Sequence, residues 1–517
     1  MHKLLKGSFI ILIGTIFFRV GGYIFMVLML SLLDINAYGM LNTAMSFQWI
    51  LILIAVAGLP PAIAKYVSEY LAKDDRYMVK KVIFSSLKIM ILMSVVFVTV
   101  FYFSAGYISD YMKGGPELTA LLQAVSFIAP FSVILGLFRG VFQGYQEMTD
   151  IMITRAVEQI FMISLAVVFI LAGFYVLGAV VGSIIGFAIA AASAVIIFRR
   201  KFWDGLKNVK KPEKTMGELK LVKMLLLFST PVIITGLAEL TLFQTVNFIV
   251  PPMLGFSLLG YYNVASPIAR LPLVISSSVA VVLLPAASEA FALNGSSLVK
   301  KYVSLAYRYL LLVLLPLCAI VILFGEPIMQ LLFPSKPMAY SFSGTSLMIL
   351  VVGMAFFSVY GISASVLQGA GKPLPAMVYL VIGTVSNLVL TVLLVPILGL
   401  NGAAIATTVA SFIIMVLTTK KTLQVTGTEL DYSNLGKIGL AAVIAGLSMI
   451  LLPKTILTLF VSLVVLPLVY LMILAFTNTL VPRDISMIQK VGYRSGPFKK
   501  PLLMFTEFLS KFVKETV

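Results

Sequence analysis

Cysteine and histidine are almost missing from this 517-residue chain, with one of each. Cys318, standing alone, excludes an intrachain disulfide and a cysteine-held metal cluster. His2, the only histidine, excludes histidine-based catalysis and histidine zinc sites. Charge is scarce as well: 11% of residues are charged and only 20 are acidic. Long polar segments are absent too, and the longest internal loop, 199–220, leaves no room for a soluble catalytic domain. The nearest approach to a phosphate loop is "GAGKP" (369–373), which lacks the upstream glycine and the Ser or Thr after Lys372 that a Walker A needs. No D-x-D of a metal-dependent glycosyltransferase occurs.

What fills the chain is apolar. Hydrophobic residues make up 60% of it and the mean hydropathy is +1.07. Repeated apolar runs of bilayer-crossing length predict an all-α polytopic membrane protein. Fourteen membrane helices are expected, near 7–32, 41–71, 82–105, 117–143, 151–174, 177–198, 221–250, 259–291, 302–325, 344–368, 376–397, 400–419, 437–452 and 456–480. Pro60–Pro61 and Pro285 predict kinks or breaks in the second and eighth. The basic start "MHKLLKGSFIILIG" leads into an apolar run too long for a signal peptide and without a cleavage signal, so a retained first helix is expected.

Loop charge sets the orientation. With the N-terminus inside, and Lys437 counted with the loop before it, inner segments hold 27 Lys and Arg, outer segments three and helices eight. This asymmetry places both termini in the cytoplasm of a cell-membrane protein. The net charge of +18 therefore belongs to the inner membrane face, and nucleic acid is not an expected partner. In the tail, Leu502, Phe505, Leu509, Phe512 and Val513 share one helical face. That pattern predicts an amphipathic helix on the inner membrane surface, with a partly disordered tail as the alternative.

The chain also repeats itself. "YGMLNTA" (38–44) matches "LGYYNVA" (259–265), and "LPPAIAK" (59–65) matches "LLPAASE" (283–289). "VFQGYQ" (141–146) answers "VLQGAG" (366–371), and "GAVVGSIIG" (178–186) answers "GAAIATTVA" (402–410), all at offsets of 221 to 225. Four ordered matches at one period imply two parallel six-helix repeats, with substrate expected between the halves. The expected organisation is an N-terminal bundle 1–198, a basic cytoplasmic linker 199–220, a C-terminal bundle 221–419, additional helices 13 and 14 within 437–480, and a cytoplasmic tail 481–517.

"GLPPAIAKYVSEYLAKDD" at the end of helix 2, the paired "QG" turns and the two six-helix halves resemble the multidrug/oligosaccharidyl-lipid/polysaccharide exporter superfamily. Fourteen helices point to its polysaccharide branch, which holds O-antigen flippases, the stage V sporulation protein B group and the more distant lipid II flippases. The resemblance implies alternating access without ATP hydrolysis. The cargo it implies is an isoprenoid-diphosphate-linked oligosaccharide, moved from inner to outer leaflet by a chain acting as a monomer among membrane lipids. No cofactor is expected; a sodium gradient, a proton gradient or the membrane potential is left to drive transport.

Arg19 and Arg270 fall near the midplane of helices 1 and 8. An arginine there costs about 2.5–3.5 kcal/mol on insertion scales, so something anionic is expected to meet it. Two partners are open: the substrate diphosphate, which a guanidinium fork binds bidentately, or a structural ion pair with Glu239 or Glu158. The resemblance favours the first, because lipid II flippases carry cavity arginines in corresponding helices. Glu239 and Glu158 are also the candidates for ion coupling. Gln48, Trp49, Gln244, Asn247 and Asn263 are candidate sugar ligands, or equally makers of helix–helix hydrogen bonds. Lys88, Arg139, Arg155, Lys223 and Arg308 are expected to snorkel to headgroups, and Lys65 to pair with Glu69. A multidrug/cation antiporter of the same fold is the competing function, and a membrane glycosyltransferase or ligase the one from another class.

Overall fold

The computed structural model describes residues 18, 20–209, 212, 215–293, 295–334, 338–486, 489 and 499–510, and their regular structure is helical throughout. The helices are α1 (Val20–Leu32), α2 (Ile35–Ala55), α3 (Leu59–Ala72), α4 (Arg76–Tyr111), α5 (Gly115–Ser126), α6 (Ile128–Gly144), α7 (Met148–Phe169), α8 (Tyr175–Lys201) and the short α9 (Asp204–Lys207). They continue as α10 (Glu218–Leu254), α11 (Phe256–Ala269), α12 (Pro272–Ala292), α13 (Ser296–Leu332), α14 (Met338–Gly369), α15 (Leu374–Leu398), α16 (Leu400–Thr426), α17 (Tyr432–Met449), α18 (Ile456–Phe476) and α19 (Lys499–Ser510). Among the described residues each expected membrane segment from the second on finds a helix or a broken pair of helices, α2–α3, α5–α6 and α11–α12 being the broken ones, and of the first segment Val20–Leu32 is described as a helix. The chain is a multi-pass, all-α membrane protein.

Prolines set the breaks. Pro60 and Pro61 sit in the first turn of α3, where a missing N–H costs nothing. The turn before them needs Gly58, whose φ is +59° and whose added Cβ would meet Ile233 Cγ1 at 2.6 Å. The eighth span behaves differently from expectation. Pro285 is accommodated inside α12, and the break falls at Arg270–Leu271, between Pro267 and Pro272. Each of these prolines removes an i→i−4 donor, and the Arg270 N–H is shared between the carbonyls of Ser266 and Pro267, both at 3.2 Å. Two prolines five residues apart outweigh one isolated proline.

Packing divides the chain into two compact units: residues 1–264 with 377–407, and residues 265–376 with 408–517. In the first, the stripe Gly178, Gly182 and Gly186 brings α8 onto α7; a Cβ at Gly186 would lie 2.7 Å from the Met162 backbone nitrogen. The glycine of the first "QG" turn, Gly144, lets α6 rest on Ala64 and Val67 of α3. In the second unit Gly369 does the same for α14 on Leu284 and Ala287 of α12. The repeated motif therefore makes the same kind of contact in each unit.

The tail helix α19 buries Thr506 and Leu509 against the second unit, Leu509 packing in a cluster with Ile438, Tyr470, Leu474 and Ile485. Part of the face expected to lie on lipid is thus docked on protein, while Met504 and Phe508 stay exposed. Phe512 and Val513 lie outside the described residues, as does the side chain of Leu502.

Candidate substrate and ion sites

Three helices of the first unit meet through amide side chains. Asn247 of α10 donates from Nδ2 to Ser46 Oγ of α2 at 2.7 Å and to Gln244 Oε1 at 2.6 Å. Asn263 of α11 donates to Asn247 Oδ1 at 2.8 Å. Ser46, Asn247 and Asn263 are buried, so the amides satisfy one another where no water reaches. Three of the five candidate sugar ligands thus come together as a helix–helix network. Gln48 is elsewhere, fully buried and donating to Ser183 Oγ of α8 at 3.2 Å. Trp49 alone among the five is exposed, at 41%.

Beside this network α2 and α11 cross closely. A side chain at Gly39 would collide with the Phe256 carbonyl, and one at Gly260 with the Ile35 carbonyl. Gly39 and Gly260 are 221 residues apart, and so are Ile35 and Phe256. The contact is therefore reciprocal, each repeat offering the other the same glycine and the same carbonyl, as across a local twofold axis.

Arg19 lies outside the described residues. Arg270 is partly buried at the α11–α12 break, in the second unit. Glu239 lies exposed on α10, in the first unit. Glu158 accepts from Arg139 Nη2 at 2.6 Å, and Arg139 Nε also donates to Thr154 Oγ1 at 3.1 Å. This corrects the expectation that Arg139 snorkels: α6 and α7 form a hairpin around the turn 145–147, which brings the two charges level. Arg308 is another departure. It is held bidentately by Asp484 at 2.5 and 3.1 Å and also donates to the Thr479 carbonyl, both residues lying beyond α18. Lys88 pairs with Glu218 at 2.7 Å. Glu69 pairs with Lys73 rather than Lys65, and this bond raises the Lys73 pKa. Lys65 instead lies over the rings of Tyr66 and Phe228, 4.9 and 4.7 Å from their centroids.

The second unit carries an apolar groove between α13, α14 and α17, with a volume of about 440 Å³. Cys318, Leu323, Phe356, Gly439, Gly446 and Ile450 are among its walls. Through Leu315, Ala355 and Phe356 it adjoins a smaller apolar cavity of about 190 Å³. That cavity shares Val359, Met415, Thr419 and Leu430 with a mouth of about 760 Å³, where Lys420, Gln424, Glu429 and Tyr432 stand. A lane from Ile450 to Tyr432 follows most of the length of α17. No sequence signal announces it, because its walls come from four helices far apart in the chain.

These features define a class: a many-span helical membrane protein with internal repeats, charged residues inside its spans and a long apolar groove. The profile of the polysaccharide biosynthesis protein family matches residues 4–291, and the chain belongs to that family, within the multidrug/oligosaccharidyl-lipid/polysaccharide exporter superfamily. The MatE profile matches residues 231–393. Lipid II flippase MurJ of Bacillus subtilis (strain 168) is 24% identical over 439 residues, which cover 78% of this chain and 80% of that protein. Stage V sporulation protein B of the same organism is 26% identical over 427 residues, 78% of this chain and 80% of that protein. A solved structure of lipid II flippase MurJ in an inward closed conformation has a TM-score of 0.73 at 17% identity, covering 92% of this chain and 98% of that one.

Proposed function

We propose that this protein is a flippase that carries an isoprenoid-diphosphate-linked oligosaccharide across the cell membrane by alternating access, without ATP hydrolysis. The apolar lane along α17 is the observation that carries the proposal. It runs along most of α17, opens at one end where Lys420, Gln424 and Glu429 stand, and suits an extended prenyl chain better than a compact drug. Arginines within the spans supply the counterpart for the diphosphate: Arg19 and Arg270 bind it, each through a planar fork that stays charged when desolvated. Trp49 offers an exposed ring for a sugar face. Both termini are cytoplasmic, the two six-helix repeats move as the alternating halves, and the protein works as a monomer.

Membrane potential alone can drive export. Moving roughly two negative charges outward across about 100 mV, inside negative, releases ~4.6 kcal/mol. Glu239 is the proposed site of any coupling sodium ion or proton, and Glu239→Gln should abolish stimulation by such a gradient while lipid binding persists.

The test is Arg19→Ala and Arg270→Ala, with membrane level and flipping measured together. Removing a midplane charge lowers insertion cost, so both variants should reach the membrane and flip at least tenfold more slowly. Arg19→Lys should be partly active. Poor folding of Arg19→Ala that Glu239→Gln rescues would instead make Arg19 a structural partner.

A further inference from the structure

Arg139 and Arg155 stand near each other on α6 and α7, and Glu158, the carboxylate that acts on both, is bonded to Arg139 alone. Glu158 is taken by Arg139 at 2.6 Å, in a pair whose side chains are 19% and 17% exposed. Arg155 has no carboxylate within ion-pair distance among the described residues, and it is exposed. It sits seven residues into α7, about 10 Å along the helix from its start, within the apolar span. Its guanidinium lies over the ring of Phe18, 5.4 Å from the centroid, just ahead of α1. That contact holds the guanidinium beside α1, and no hydrogen bond from it to a described residue is present.

One turn further along α7, Gln159 completes the place. Gly21 of α1 is bare, and a Cβ there would collide with the Gln159 amide. The amide nitrogen can therefore donate to the Phe18 carbonyl at 3.1 Å. Gln159 is 8% exposed, and its buried Oε1 accepts from no described donor. A net positive charge thus stands beside an unused acceptor. Phosphate oxygens match the first, and a sugar hydroxyl matches the second.

We propose that Arg155, with Arg139 and Gln159, forms a docking site on α6 and α7 for the sugar-diphosphate end of the lipid-linked substrate, on the proposed cytoplasmic side. The inference rests on the flippase function proposed above. Arg155 supplies the bidentate contact. Arg139 adds a second cation, attenuated by Glu158. Phe18 and Gly21 fix the position of the site against α1.

The test uses the full-length protein in nonionic detergent, with farnesyl diphosphate as probe and phosphatidylglycerol as the competing lipid phosphate. Dissociation constants for both are read by native mass spectrometry. Arg155→Gln should weaken farnesyl diphosphate at least fivefold and Arg155→Lys less. Glu158→Gln, which releases Arg139 from its counter-charge, should tighten it about threefold or more. Phosphatidylglycerol should change less than twofold in all three. Equal weakening of both lipids in Arg155→Gln would assign Arg155 to bulk headgroups and overturn the proposal. Unchanged farnesyl diphosphate binding would also overturn it, yet leave the flippase function standing if Arg19→Ala still stops transport. A wild-type protein that binds no farnesyl diphosphate would overturn both.

Discussion

At the scale of single residues, the charges inside the spans were visible in the sequence but their partners were not. Arg139 and Glu158, or Arg308 and Asp484, meet because helices bring them level, and helical spacing within one segment cannot show that. The Lys65–Glu69 spacing suggested a pair, yet the Phe228 ring, which comes from α10, offers Lys65 another contact. Gln48, Gln244, Asn247 and Asn263 were legible as polar groups in apolar runs; that they bond to neighbouring helices depends on which faces meet. Arg308 and Asp484 give the clearest residue-level prediction, because their side chains are only 13% and 5% exposed. Removing one partner leaves the other buried and unpaired. Arg308→Ala should cost about 3–5 kcal/mol. Thermal unfolding of the purified protein measures it, and an unchanged midpoint would show that the pair contributes nothing.

At the scale of elements, the eleven candidate membrane spans among the described residues were legible because more than about 18 apolar residues in a row have few alternatives. Ends and breaks were less so. Pro60–Pro61 marked a real break, whereas Pro285 did not, since a lone proline can be absorbed when neighbouring groups satisfy the freed carbonyl. Helix 13 was placed five residues late because its start is set by a cap rather than by hydropathy. Asp431 Oδ1 accepts the Asn434 N–H at 3.0 Å and fixes the first turn of α17. This bond holds the Asp431 carboxyl below the usual carboxylate range. A depressed folded pKa adds stability that is fully present above the unfolded value of about 3.9 and is lost as pH falls through the folded one. Asp431→Ala should therefore loosen the start of α17 by about 0.5–1 kcal/mol at neutral pH. The difference from wild type should vanish in strong acid. Hydrogen exchange of the Asn434 and Leu435 amides reads this, and equal protection in both proteins at neutral pH would remove the cap from the account.

At the scale of the whole molecule, the sequence repeat was legible from four matched segments, and two of them recur as matched contacts. Gly144 and Gly369 pack alike, and Gly39 and Gly260 cross reciprocally. The compact units were not legible. One boundary falls after Val264, inside the eighth span, and residues 377–407 group with the N-terminal helices, because contacts rather than chain order decide the grouping. The apolar lane escaped sequence analysis for the same reason. The central claim is that this fold moves a lipid-linked diphosphate sugar and not a cationic drug. Proteoliposomes holding the purified full-length protein, loaded in parallel with a fluorescent isoprenoid-diphosphate-linked oligosaccharide and with a cationic dye, test it most directly. Protein-dependent transfer of the lipid between leaflets, faster when the donor side is negative and without ATP, with no movement of the dye, is the result expected. Protein-dependent movement of the dye with the lipid left in place would contradict it.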